Sequence, residues 1–183
     1  MTDPDAHRPP SDAASTALDV VRVHLQSAGV TFTEPAPGTF AVSLPGVHKL
    51  NTVASLVVGA HSLTINAFVV RHPDENAAGL HKWLLERNRR LNAVSYAIDQ
   101  FGDVYLVGRL PNEAVTGKAV DAILGAVLEY ADGDFNTMLE IGFATSIRKE
   151  WQWRLSRGES TANLTAFRHL ADPGSPAAGD PAD

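Results

Sequence analysis

With 183 residues, 44% of them hydrophobic and 20% charged, the chain has the composition of a folded domain and is too apolar to be disordered throughout. A net charge of −6 argues against bulk affinity for nucleic acid or anionic membranes, both of which are held by clustered Lys and Arg. The absence of cysteine excludes disulfides, thiolate nucleophiles, iron–sulfur clusters and cysteine-held zinc.

The opening "MTDPDAHRPPSDAAS" lacks the basic stretch and apolar run of a secretory signal, and no apolar run approaches the roughly 20 residues that cross a bilayer. A cytoplasmic location is expected. Residues 1–14 and 171–183 are rich in Pro, Ala, Asp and Gly and poor in large apolar side chains, so disorder is expected at both ends. Helical spacing of Leu18, Val21 and Leu25, with Ser15 as N-cap and Gly29 as stop, predicts a first helix. Thr39 to Leu44, Leu50 to Val58 and Ser62 to Val70 then read as strands of an antiparallel meander. Asp74 is placed to cap a second helix running to about Asn92.

"VSYAID" and "DVYLVGR" follow as two strands joined by a short hairpin at Asp99 to Asp103. Apolar positions from Val120 to Leu139 keep helical spacing across Gly133, which can bend or break the helix. The predicted order is α-βββ-α-ββ-α, an α+β fold with a five-stranded antiparallel sheet and helices packed on one face. The domain is expected over residues 15–145, followed by a basic, Trp-containing extension over residues 146–170.

Strand alternation is blurred. Phe68 and Val70 oppose Leu63, Ile65, Ala67 and Val69, and Val53 and Val57 oppose Leu56 and Val58. A half-exposed sheet alternates more cleanly, so the second face is expected to be covered by a partner subunit or by the extension.

"HKWLLERNRRLN" at 81–92 raises the question of an anion site. Ala77, Leu80, Trp83, Leu84 and Leu91 make an apolar stripe, while Lys82, Arg89 and Arg90 point away, two of them at the C-terminal end that favours cations. Arg87 falls inside the stripe, where its stem can pack on apolar surface with the guanidinium at the rim, or it can meet a carboxylate such as Asp99 or Glu140. Residues 111–145 carry one lysine and six acids, whereas residues 146–170 carry five bases and two acids. The chain can therefore satisfy its own basic patches. In "IRKEWQWRLSRGES", Trp151 and Trp153 amid bases fit packing or self-association better than a stacking platform for single-stranded nucleic acid.

Seven histidines form no HxH or HExxH pair, "VTGKAV" lacks the leading glycine and the Ser or Thr of a phosphate-binding loop, and no GxGxxG or GxSxG occurs. Asp99 and Asp103 flank a turn, where acids serve local hydrogen bonding. These patterns assign no catalytic, cofactor-binding or metal-binding residue.

The run "LHKWLLERNRRLNAVSYAIDQFGDVYLVGRLP" at 80–111 combines a leucine-rich helix containing Asn88, a strand, an Asp-x-x-Gly-Asp hairpin and a strand ending in Leu110-Pro111. With "YADGDFNTMLEIGF" at 130–143, it resembles the YbjN-like family of bacterial sensory transduction regulators over roughly residues 15–145. The resemblance implies the fold of type III secretion chaperones, which commonly dimerise and bind other polypeptides, and it carries no catalytic residue. The reading is a non-enzymatic, cytoplasmic regulatory or chaperone-like module, homodimeric, that binds a protein partner through its sheet surface or helix grooves. Phe68, Arg87, Arg89, Arg90, Trp151 and Trp153 are the candidate contacts. The alternatives are a small-ligand sensor or enzyme whose site assembles only in three dimensions, and a weak nucleic-acid binder through the basic patches.

Overall fold

The computed structural model describes residues 12–171. Most of the disorder expected at the two ends falls on residues outside that range, although residues 12–14 already belong to the first helix. The elements run α1 (Asp12–Ser27), β1 (Phe32–Ala36), β2 (Thr39–Pro45), β3 (Asn51–Val58), β4 (Ser62–Val70), α2 (Ala77–Asn88), β5 (Ser95–Ile98), β6 (Val104–Pro111), α3 (Gly117–Gly133) and α4 (Phe135–Arg157). A 3-10 segment, Ala162–Leu170, closes the described chain.

All strand pairs are antiparallel, in the order β1-β2-β3-β4-β6-β5. The sheet thus has six strands where the sequence predicts five. The missed strand, FTEPA, is short, exposed along most of its length and interrupted by Pro35, so it shows no alternation. It survives as an edge strand because Phe32 and Thr33 pair with Val42 and Ala41 before a register shift.

Register separates the two sheet faces. Phe40, Leu56 and Ile65 lie in one cross-strand row, and Val42, Ala54, Ala67, Leu106 and Tyr96 in the next. All are buried, in one cluster with Val21 and Leu25 of α1, Leu80 and Leu84 of α2, Val120 and Val127 of α3 and Met138 of α4. The helices therefore gather on this face. Full burial of a Leu or Val here is worth roughly 1.5–3 kcal/mol, so the stripe of each helix decides its placement more than its propensity does.

Helix boundaries depart from the sequence reading for identifiable reasons. Ser15 lies inside α1 rather than at its cap. Asn76, in the left-handed conformation, caps α2 by accepting from the Gly79 N–H, whereas Asp74 bonds Arg71 and Ser146. The second helix ends at Asn88 and not at Asn92, since the Asn88 amide turns to the backbone of β5. The chain does break after Gly133: α3 ends there and α4 starts at Phe135.

Asn88 accepts from the Tyr96 N–H through Oδ1 at 2.7 Å and donates to the Tyr96 carbonyl through Nδ2 at 3.1 Å. These backbone groups point off the outer rim of β5, where an unpaired strand would template association. Asn88→Ala is expected to cost about 1–2 kcal/mol by leaving both groups without a protein partner. It is also expected to raise aggregation during thermal melts, measured by turbidity; a melt matching wild type would show that the seal is dispensable.

Candidate functional site

The second face of the sheet is built from the odd-numbered residues of β2, β3, β5 and β6 and the even-numbered residues of β4 from Ser62 to Phe68. Ala41, Ser55, Asn66, Val107 and Ser95 make one row. Phe68 pairs with Tyr105, which pairs with Ala97, in the adjoining row. Phe68 is 42% exposed and Val53 51% exposed, and Val57 is also exposed. The Phe68 and Tyr105 rings meet edge to face with centroids 5.5 Å apart. The blurred alternation has two sources: this apolar row, and a register shift after Phe68 that lets both Val69 and Val70 reach the core.

Lys49 holds one end of the row. Its Nζ donates to the Phe68 carbonyl at 2.6 Å and lies 5.4 Å from the Phe68 ring centre. The paired β3–β4 register ends at Ala54 and Ala67, so this carbonyl takes an ammonium donor beyond the last paired residues. Burial lowers the Lys49 pKa. Asp132 of α3 fixes the loop that carries this lysine, its Oδ1 accepting the His48 and Lys49 N–H groups at 2.7 and 2.8 Å. Burial pushes the Asp132 carboxyl up, but the backbone donors of Lys49, Val47 and His48 and the His48 ring outweigh it and hold it below the ordinary range.

A second apolar surface lies at the β5 end. His81, Leu84, Leu85, Tyr96, Ala97 and Ile98 line a cleft of about 420 Å³ between α2 and β5. Leu85 on its wall and Phe101 in the next turn are about 70% exposed. Sequence reading missed these residues, because Leu85 sits outside the apolar stripe of α2 and Phe101 occupies a turn. The signal available was the presence of two large apolar side chains at positions where the helical face and the turn call for polar ones.

Arg87 pairs with neither Asp99 nor Glu140 but with Asp134, Nε to Oδ2 at 2.8 Å. The Tyr96 hydroxyl reaches the same Oδ2 at 2.9 Å and the Tyr130 carbonyl at 2.9 Å. Burial, then the charge and hydrogen bond of Asp134, raise the Tyr96 phenol far above its ordinary value. This cluster joins α2, β5 and the α3–α4 junction. Arg89 and Arg90 lie just past the helix end, where the Arg90 N–H bonds the Arg87 carbonyl, and their side chains are exposed and do not join the Arg87–Asp134 pair. Asp99 accepts from the Phe101 and Asp103 N–H groups, as expected of a turn acid.

Among the described residues, no three His, Asp or Glu side chains gather as a metal-like group, and no helix is long and apolar enough to cross a membrane. Residues 17–140 match the YbjN family, "Putative bacterial sensory transduction regulator". The chain belongs to this family. An uncharacterised protein of Mycobacterium leprae is 48% identical over 166 residues, covering 88% of this chain and 90% of that protein. An uncharacterised protein of Mycobacterium tuberculosis is 54% identical over 135 residues, 74% of each chain. Among solved structures, the HopA1-SchA chaperone-effector complex contains a chain matching 68% of this one and 97% of its own length, with a TM-score of 0.50 and 14% identity. The ExsC-ExsE complex contains one matching 70% and 97%, with a TM-score of 0.50 and 18% identity. At such identities the likeness concerns the fold, which is that of type III secretion chaperones.

Past the YbjN match, α4 kinks at Phe143, and the β4–α2 loop is fastened into the kink. The Gly142 carbonyl accepts from the Asp74 and Glu75 N–H groups. Glu75 accepts from the Thr145 N–H and hydroxyl at 2.6 and 2.7 Å, and Asp74 accepts from the Ser146 hydroxyl at 2.8 Å. Glu75 thus caps the positive N-terminus of the second helical arm, and Asp74 stands beside it on the Ser146 hydroxyl. Phe167 and Leu170 fold back into the main core, and Ile147 and Trp151 are buried. Residues 144–170 therefore join the helical layer and leave the Phe68 row open. Trp153 is 44% exposed, with Arg157 over its ring at 4.9 Å.

Arg71 first, then Ser146, pushes Asp74 down to about 2. A depressed carboxyl stabilises the fold above its unfolded pKa, near 3.8, and that contribution is lost as pH falls from there toward 2. Asp74→Asn is expected to flatten this part of a stability-versus-pH curve from urea titrations. Equal acid sensitivity in the variant would remove Asp74 from the clamp.

Proposed function

We propose that this YbjN-family chain is a non-enzymatic, cytoplasmic regulatory or chaperone-like module that forms a homodimer and binds another polypeptide. The observation carrying this reading is the apolar row around Phe68. Among the described residues it stays exposed on one sheet face while every helix and the extension pack on the other. Burying such a row against a partner gains free energy that a monomer forgoes. The fold shared with chains solved in chaperone-effector and other two-protein complexes supports the same reading.

Self-association is assigned to the α2–β5 end, where Leu85, Ile98 and Phe101 form a second exposed apolar group on a different surface. Arg89 and Arg90 border that end in sequence, and Trp153 offers a further contact on α4. Arg87 is occupied by Asp134, so its part is to hold this region in shape.

A photo-crosslinking amino acid at position 68 of the full chain tests the binding face. The expected product is a covalent adduct with another polypeptide, lost when Val53 is also replaced by Asp. Light scattering tests the dimer, which Leu85→Glu with Phe101→Ser is expected to split. A strictly monomeric wild type giving no adduct would remove the reading.

A further inference from the structure

The six strands contain one acidic residue, Glu34, and its carboxylate bonds Arg22 of α1 on the helical face at 2.8 Å. Among the described residues, the strands of the open face therefore contribute no carboxylate, in a chain of net charge −6. Its strand residues are Ser, Thr, Asn, Pro, Tyr105 and apolar side chains, with a single cation, Arg109, exposed opposite Thr64. Arg109 makes no ion pair among the described residues. At the other end, the Lys49 ammonium lies beside the Phe68 ring and bonds a carbonyl rather than a carboxylate.

We infer that the open face takes an acidic, apolar-striped polypeptide segment of another protein, with a carboxylate on Arg109 and large apolar side chains over Phe68 and Val53. This inference rests on the proposed function and specifies the chemistry of the partner. Thr64 and Phe68 are four residues apart along β4, which at the rise of a strand is about 13 Å. The carboxylate and the apolar residue covering Phe68 then lie about four positions apart in an extended segment, or about eight to nine along a helix. A second copy is a poorer occupant. Stacking two open faces sets Arg109 against a surface with the same lack of carboxylates, where nothing neutralises it once desolvated.

The test uses the full chain and two labelled probes: a short alternating peptide of Glu, Thr and Leu, and its counterpart with Lys in place of Glu. Fluorescence anisotropy is expected to show the acidic peptide bound roughly three- to tenfold more tightly, a preference that shrinks with added salt. Arg109→Glu should invert the preference, and Phe68→Ser should weaken both peptides, with circular dichroism confirming that both variants fold.

Equal affinity for the two peptides, or an unchanged preference in Arg109→Glu, overturns the acidic partner. If that binding still depends on Phe68, the binding face itself stands. Failure of both peptides also overturns the inference, with the crosslink at position 68 judging the wider reading separately. A dimer that Phe68→Ser splits gives the face to a second copy and overturns it as well.

Discussion

Replacing Asp134 by alanine is expected to lower the unfolding free energy by about 3 kcal/mol, measured by urea titration with an unchanged slope. The side chain is nearly buried, and one oxygen receives both the Arg87 guanidinium and the Tyr96 hydroxyl. Its loss leaves a cation at the α2–β5 seam without a counter-charge and takes from the phenol one of its two acceptors. Exposure of Arg87 to some water keeps the expected cost at the lower end of the range for broken buried pairs. Adding Arg87→Met should recover part of the loss, because the unpaired charge disappears with it. If the double variant is no better than the single one, the cost comes from packing rather than charge.

Gly142 gives a prediction whose sign separates two effects. Helix propensity alone favours alanine over glycine by about 1 kcal/mol in a helix interior. A Cβ at position 142, however, would lie 2.8 Å from the Cβ of Pro73, part of a rigid ring that has little room to retreat. Gly142→Ala is therefore expected to destabilise by about 2 kcal/mol, and Gly142→Val by about 3 kcal/mol. Gly125 of α3 is the control, since nothing lies within 4 Å of its added Cβ, and Gly125→Ala should stabilise by about 0.5–1 kcal/mol. The Gly142 variants should also make residues 144–170 more susceptible to limited proteolysis, as the loop bearing Asp74 and Glu75 is pushed from the kink. Stabilisation by Gly142→Ala would mean that the loop is not seated against the helix.

Most of the α+β order was legible because it rests on apolar periodicity, which acts locally: Val21 and Leu25 mark a helical face, and Leu63, Ile65 and Ala67 mark a strand face. What escaped depends on distant partners. β1 exists only through its pairing with β2, the end of α2 depends on where the Asn88 amide finds hydrogen bonds, and the choice of Asp134 by Arg87 spans 47 positions. Phe68 was legible as a residue on the second face. Its exposure was not, because the fate of residues 144–170 is decided by the kink at Phe143 and by the burial of Leu170.

The amide of Asn88 against β5 has a counterpart at the opposite margin, where Pro35 in β1 lacks an N–H altogether. With its margins blunted in this way, the molecule is poorly suited to recruiting a guest by extending its hydrogen-bond ladder, a mode indifferent to the guest's composition. On the proposed function, a polypeptide partner is then selected by what its side chains carry rather than by its backbone.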